Sequence, residues 1–335
     1  MVKRVNTVLS IRQDYVLGIL SFVFVNLILF SSSCSGNAPK EEAVKKDTLT
    51  EYQPPDTSEL KDDKFGQAVK YGAKLMTNTA YYIGPNGIAG HYLGNEMNCT
   101  NCHLDAGAKT FGNSLYNTHR AYPQYRARED KVLTSADRVN NCIERPHNGT
   151  PMPLDSYEML AFVTYIQWLG KNYDPEKHYG HGLKEIDHKG KSSDPEAGRK
   201  VYEKHCQSCY LADGQGVYDS NKHTYTYPPL WGEKSYQMGS SMHRVLKAAS
   251  FIYHNMPRTT TITWDKPTLT VQEALDVAAF VNSNDLHPRP NGGGISYPNL
   301  KTKPIDYYEG PFNDSYSVKQ HTFGPWDGMV VGGAK

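Results

Sequence analysis

The chain has 335 residues and a formal net charge of +1, and 38% of its residues are hydrophobic while 21% are charged. A net charge this close to zero gives no indication of a nucleic-acid partner, because such partners select a strongly basic surface. At the usual domain size of about 100–150 residues, the length is sufficient for two domains.

The N-terminal residues have the layout of an export signal. Basic residues precede an apolar run at 16–30, and three serines then lead to Cys34. The run is shorter than the ~20 residues of a membrane span, which favours a signal at 1–34 over the alternative of an uncleaved anchor. A cysteine after small residues resembles a bacterial lipoprotein processing site, which predicts lipidation of Cys34 and a membrane-anchored protein on the periplasmic side. The polar residues 35–61 are typical of a flexible tether.

One order of motifs occurs twice in the rest of the chain. The first repeat comprises a helix predicted at 64–76, the motif CTNCH at 99–103, Cys142, and a helix predicted at 155–170 with Asp155 as its cap. The second repeat comprises a helix predicted at 194–205, the motif CQSCY at 206–210, Met256, and a helix predicted at 270–283. Asp194 and Pro195 suit the first two positions of their helix, and Thr270 with Glu273 forms a capping box.

This order is the plan of a small c-type cytochrome, in which two helices pack together and the loop between them supplies a ligand over the haem. We therefore predict a mainly α fold of two tandem cytochrome c-like domains with long irregular loops, at 62–185 and 186–290. Residues 291–335 are rich in Pro, Gly and Tyr without periodicity, and are predicted to form an irregular tail that wraps over the domains.

The motif CTNCH predicts a covalently bound haem c in an exported protein. Cys99 and Cys102 have the spacing for two thioether bonds to haem, and the adjoining His103 is the expected proximal ligand of the iron. The alternative is structural zinc, which needs two further ligands nearby, whereas the next CxxC motif is far along the chain.

Cys142 is the expected distal ligand at the first haem, because the repeat puts it where such a ligand belongs. The neighbouring Arg138 and Arg145 favour a thiolate, which suits iron ligation or nucleophilic chemistry. A buried apolar cysteine, a disulfide and a remote metal ligand are the other interpretations, and no obvious disulfide partner is present.

The motif CQSCY departs from the usual haem motif, because Tyr210 stands where the proximal histidine is expected. Three interpretations are open: tyrosinate ligates the iron of a second haem, a haem is attached without a strong proximal ligand, or no haem is attached and Cys206 forms a disulfide with Cys209. We favour a bound second haem with Met256 as its distal ligand. His243 and His254, which precede Met256, are alternative ligands.

Several of these stretches together resemble the thiosulfate dehydrogenase family of dihaem cytochromes c. They are CTNCHLDAG, YPQYRAR, RVNNCIER, YPPLWG, NMP and LTVQEALDVAAFVNS. The resemblance covers nearly the whole chain after residue 62. It implies oxidative joining of two thiosulfates to tetrathionate, in some members reversibly, at a first haem with His and Cys ligands, while a second haem passes electrons on.

By position, the resemblance implies that His103 and Cys142 ligate the catalytic iron and that Arg128 and Arg138 bind the substrate. We add Arg126 and Arg145 as further anion-binding candidates. Arginine forks suit sulfonate oxygens and offset the repulsion between two dianions. Pro146 departs from the family, which usually has Ser there, and this changes the polar contacts available to the substrate.

The predicted function is therefore an exported cytochrome c that acts on thiosulfate or a related sulfur oxyanion and delivers electrons to another cytochrome or redox protein. Two other functions fit the same motifs. One is a non-catalytic, membrane-tethered electron carrier, and the other is a cytochrome that loads sulfur onto a protein partner.

Overall fold

The computed structural model describes residues 49–259, 263–292 and 297–331. The predicted signal at 1–34, the lipidation residue Cys34 and the first part of the predicted tether lie outside these residues. Within the described ranges, no helix combines the length and the apolar character that crossing a membrane requires.

The first repeat folds around two helices that cross closely. Its helices are α1 Lys64–Thr77, α2 Thr79–Ile83, α3 Thr118–Ala121, α4 Ser135–Glu144 and α5 Tyr157–Leu169, with a hairpin of β1 Gln124–Arg126 and β2 Lys131–Leu133. Gly72 of α1 lies against α5, and a Cβ atom there would be 2.1 Å from the carbonyl oxygen of Ala161. Only glycine allows this approach, which buries an apolar core that includes Val69 and Phe162.

The second repeat has the same crossing. Its helices are α6 Pro195–His205, α7 Gln207–Tyr210, α8 Val245–Asn255 and α9 Val271–Asn282, with a hairpin of β3 Val217–Asp219 and β4 Thr224–Tyr227. Gly198 of α6 lies against α9, where a Cβ atom would be 2.0 Å from the carbonyl oxygen of Asp276. A glycine at the equivalent place in both repeats supports one packing plan used twice.

Most predicted helix ends are confirmed, and one is wrong. Asp194 caps α6 with Pro195 at its first position, and Thr270 with Glu273 forms the capping box of α9. The cap of α5 is Ser156 instead of Asp155, because the Ser156 side chain accepts the hydrogen bond from the Met159 amide. The mainly α fold class is confirmed. The two short hairpins were not predicted.

The tail is mostly irregular but firmly packed, with one short helix, α10 Val318–Phe323, that the sequence did not predict. Tyr307 and Trp326 are almost fully buried. The Asp306 carboxylate accepts hydrogen bonds from Arg244 Nε at 2.8 Å and from the Leu246 amide at 3.1 Å. This carboxylate therefore ties the tail to the start of α8, and the tail belongs to the same compact unit as both repeats.

Candidate active site

A cavity of about 420 Å³ brings the predicted residues of the first site together. Its wall includes Cys99, Cys102, His103, Arg126, Arg128, Arg138, Cys142 and Arg145. The second repeat and the tail also contribute to this wall, through Met242, Arg244, Lys247 and Tyr297. The cavity is therefore built by both repeats, although the sequence assigned every residue of this site to the first.

His103 is oriented by its backbone surroundings. It follows a short 3-10 turn, Cys99–Asn101, and its Nδ1 lies 2.6 Å from the carbonyl oxygen of Asn113. Because a carbonyl oxygen only accepts, Nδ1 donates to it, which leaves Nε2 as the nitrogen available to Cys142 or to a metal. A partner of this kind is what fixes a metal-binding histidine in its ring orientation.

Cys142 lies near the end of α4, in hydrogen-bond contact with His103. Thr134 and Asp137 form the capping box of this helix, and the helical period puts Arg138 one turn before Cys142, with Arg138 Nη1 donating to Cys142 Sγ at 2.9 Å. Burial by itself raises the pKa of the Cys142 thiol. The Arg138 charge, the hydrogen bond and charge of His103 and the Arg145 charge together outweigh it and lower this pKa to about 6. The sulfur is therefore largely thiolate at neutral pH.

The pKa values of the two motif cysteines shift in the opposite direction to that of Cys142. Burial raises the pKa of both Cys99 and Cys102 to about 12. Both are free thiols, as are Cys142, Cys206 and Cys209. Cys99 Sγ also lies 3.8 Å from Nε2 of His147, a buried histidine that belongs to none of the predicted motifs.

The arginines around Cys142 differ in how firmly they are held. Arg145 forms an ion pair with Glu129 at 3.0 Å, and the same carboxylate oxygen accepts from Asn141 at 3.1 Å. Arg128 is buried against the tail, with its guanidinium over two tyrosine rings. Arg126 is half-buried on β1. Together with Arg138, they give the cavity a cationic wall that suits an anion.

Pro146 also lines the cavity. Its carbonyl oxygen accepts a hydrogen bond from Asn95 Nδ2 at 3.0 Å. The ring of Pro146 offers no hydroxyl, so the polar contacts at this part of the wall come from other residues.

The second motif brings its two predicted ligands face to face. Tyr210 ends the short helix α7, and its hydroxyl lies 4.0 Å from Met256 Sδ, directly after α8. The Tyr210 ring contacts the Tyr227 ring at a centroid distance of 5.8 Å. Burial, followed by the neighbouring thiols of Cys206 and Cys209, raises the pKa of the Tyr210 phenol.

The alternative histidine ligands occupy other positions. His243 is buried, and its Nε2 contacts Asn284 Oδ1 at 3.0 Å. His254 lies within α8 and donates from Nδ1 to the carbonyl oxygen of Trp264 at 2.7 Å, while its buried Nε2 has no hydrogen-bond partner among the described residues.

The residues of the first site fit a haem c. Both attachment thiols, the oriented His103 and the thiolate-favouring Cys142 line one cavity whose volume is in the range of cofactor sites. At the second site, the Tyr210 phenol and the Met256 thioether face each other, and Cys206 and Cys209 belong to the same motif as Tyr210. The thiols fit covalent attachment of a haem, whereas Tyr210 supplies a phenol where such a site usually has an imidazole.

Each of the two repeats matches a known family of cytochrome c domains. Residues 93–173 match the profile of the SoxA/TsdA cytochrome c domain, and residues 195–285 match that of cytochrome c. The chain is 36% identical over 248 residues to a thiosulfate dehydrogenase of Thiomonas intermedia, covering 74% of this chain and 75% of that protein. The chain belongs to the thiosulfate dehydrogenase family.

Other members of this oxidoreductase family are similarly close. A thiosulfate dehydrogenase of Stutzerimonas stutzeri is 34% identical over 253 residues, which is 75% of this chain and 78% of that protein. The solved structure of thiosulfate dehydrogenase (TsdBA) from Marichromatium purpuratum superposes with a TM-score of 0.66 at 30% identity, covering 78% of this chain and 54% of that one. These similarities confirm the predicted resemblance and the two cytochrome c domains.

Proposed function

We propose that this protein joins two thiosulfate ions to form tetrathionate, or catalyses the reverse reaction, at a haem c bound by Cys99 and Cys102. The observation that carries the proposal is the Cys142 thiol, which lines the same arginine-rich cavity as His103. The names of the relatives support thiosulfate as the substrate.

His103 and Cys142 would hold the iron of the haem, whose chemistry when bound is to take up electrons one at a time. The protein's own groups handle the anions. Arg138 is hydrogen-bonded to Cys142 at 2.9 Å, so an anion bound by its remaining donors would lie beside the reacting sulfur. Arg128, Arg126 and Arg145 would offset the charge of the second anion.

Cys142 can divide the reaction into two steps. In the first, a bond forms between Cys142 Sγ and the outer sulfur of one thiosulfate, and two electrons leave. In the second, the outer sulfur of another thiosulfate attacks the outer sulfur of this adduct, which releases tetrathionate and restores the Cys142 thiolate. The sum is two thiosulfate ions converted to one tetrathionate ion and two electrons.

Because two electrons leave and a haem accepts one, a second haem would complete the relay. We assign it to Cys206 and Cys209, with Tyr210 and Met256 as the residues that would hold its iron. An external cytochrome or other redox protein would be the electron acceptor. Pyridine haemochrome absorbance per polypeptide, together with intact mass, tests this assignment. Two haems per chain are expected, and one haem would contradict the relay.

We further propose that the protein is exported to the periplasmic side and tethered by a lipid on Cys34. Residues 16–30 and the small residues before Cys34 support this location. Mass spectrometry of the mature N-terminus tests it, since lipidated Cys34 is expected as the first residue.

The decisive experiment is a thiosulfate-dependent assay with ferricyanide as acceptor, on protein whose haem content has been measured. Turnover with tetrathionate as product is expected. Haem-loaded protein without turnover would indicate an electron carrier instead, and turnover that requires a protein partner would indicate sulfur loading.

A further inference from the structure

The C-terminal tail brings two tyrosine rings against one arginine of the cavity. The Arg128 guanidinium carbon lies 5.3 Å from the centre of the Tyr297 ring and 5.6 Å from that of Tyr307. Arg128 and Tyr297 are each 8% exposed, and Tyr307 is 1% exposed. Cation–π contacts are strongest when the groups are removed from water, as these are.

Backbone hydrogen bonds hold the same residues. The Tyr297 amide donates to the carbonyl oxygen of Arg128 at 2.8 Å, and Arg128 Nη1 donates to the carbonyl oxygen of Gly239 in the second repeat. Tyr297 has φ = +74°, a left-handed conformation that a bulky residue adopts only where its surroundings fix it. Because Arg128 and Tyr297 both line the cavity, these contacts give the guanidinium one direction relative to it.

The tail is anchored on the far side of these rings. Asp306, next to Tyr307, forms a buried ion pair with Arg244 and accepts from the first turn of α8. Lys303 Nζ lies 4.8 Å from the centre of the Tyr307 ring and donates to the carbonyl oxygen of Pro311 at 3.0 Å. The Tyr307 ring is therefore supported from two directions, and it cannot shift without breaking the Asp306 contacts.

We propose that residues 297–308 of the tail complete the anion site, with Tyr297 and Tyr307 as positioning residues that pre-orient Arg128 for thiosulfate. This inference rests on the proposed function of the cavity. An arginine that is already fixed loses little conformational freedom when an anion binds, so the affinity is higher than for a mobile side chain. The tyrosine rings hold Arg128 without a carboxylate that would neutralise its charge. The full positive charge of Arg128 therefore remains available to the dianion.

Substitution of Tyr297 tests the inference. In the haem-loaded full chain, Tyr297→Ala should raise KM for thiosulfate roughly three- to thirty-fold, the range expected for one desolvated cation–π contact, with little change in kcat. Tyr297→Phe keeps the ring and should retain the wild-type KM. Tyr316→Ala is the control, because Tyr316 is a half-buried tyrosine of the same tail that lies outside residues 297–308 and contacts His321 instead of Arg128.

The thiosulfate Kd, measured by isothermal titration calorimetry on the oxidised protein, separates this inference from the proposed function. If wild type turns over and the KM of Tyr297→Ala is unchanged, or shifts no more than that of Tyr316→Ala, the tail has no role in anion binding. If wild type binds thiosulfate without turnover, the proposed reaction is wrong and the Kd of Tyr297→Ala decides the inference. Absence of both binding and turnover in wild type contradicts both.

Discussion

The two repeats use one helical plan but create opposite environments for their sulfur residues. At the first site, Cys142 lies in a cavity among arginines, and its pKa falls to about 6. At the second site, Met256 faces the phenol of Tyr210, whose pKa is raised by burial. The first site thus favours an anionic, reactive sulfur, whereas the second favours neutral groups.

This difference indicates a division of labour. A thiolate beside guanidinium groups can bind and react with anions. A thioether has no acidic proton and is only a weak nucleophile. The shared helix crossing, with Gly72 in one repeat and Gly198 in the other, holds both motifs in the same manner. The chemistry is therefore assigned by the residues between the crossing helices, and the predictions below test that assignment.

The largest effect is expected for Cys142→Gly. Loss of the sulfur removes both the proposed ligand and the proposed nucleophile, so thiosulfate oxidation should fall to background in the ferricyanide assay. The haem attached at Cys99 and Cys102 should remain, because their thioether bonds do not involve Cys142. Turnover that survives in haem-loaded Cys142→Gly protein would disprove the proposed mechanism.

A smaller loss is expected for Arg138→Ala. A hydrogen bond to a charged group contributes about 1.5–3 kcal/mol, so kcat/KM should fall about ten- to hundred-fold. Arg138→Lys keeps the positive charge but loses the forked guanidinium, so its kcat/KM should lie between those of wild type and Arg138→Ala. Equal kcat/KM in wild type and Arg138→Ala would show that the 2.9 Å contact with Cys142 has no part in catalysis.

The same contact predicts the pH dependence. In wild type, the thiol pKa is lowered from 9.0 to about 6, so the thiolate is present above pH 6 and is lost as the pH falls through that value. The acidic limb of kcat/KM should therefore lie at lower pH than an ordinary thiol would give. Without Arg138 the pKa rises, so the limb of Arg138→Ala should move to higher pH. A limb that stays in place would assign the titration to another group.

Motif spacing predicts the chemistry of the first site better than the element that carries it. His103 follows from the motif CTNCH, whereas Arg138 and Cys142 lie on α4, a helix within a stretch that is expected to be a long loop. The period of α4 puts Arg138 one turn before Cys142 and brings their side chains into contact. The sequence favours a loop there because the many polar and charged residues of the stretch mask the helical period.

The tail's part in the same cavity could not be predicted. Tyr297 meets Arg128 through an irregular chain path that no periodic pattern describes. The Asp306 contact with Arg244 is likewise a pairing of single residues far apart in sequence. Such contacts depend on tertiary packing alone, so a stretch rich in Pro, Gly and Tyr gave only the expectation of a wrapping tail.

Tyr210→His tests the proposed haem site of the second repeat, and a moderate effect on the haem potential is expected. Tyrosinate stabilises ferric iron, so replacement by histidine should raise the potential of the second haem and give the spectrum of a His/Met cytochrome. Tyr210→Phe should retain attachment but lose any phenolate ligation. If wild type contains one haem and Tyr210→His contains two, the tyrosine prevents haem attachment instead of ligating the iron.

The smallest effect is expected for substitutions in the helix crossing that both repeats share. An added methyl at Gly72 would lie 2.1 Å from Ala161 O, and one at Gly198 would lie 2.0 Å from Asp276 O, so each crossing must open. Overpacking of this kind costs about 1–3 kcal/mol, which should lower Tm by several degrees for both Gly72→Ala and Gly198→Ala. Gly310→Ala is the control, because the nearest atoms lie 3.7 Å away at ordinary contact distance. Thermal unfolding followed by circular dichroism measures all three, and tolerance of one substitution but not the other would mean that the two repeats do not pack alike.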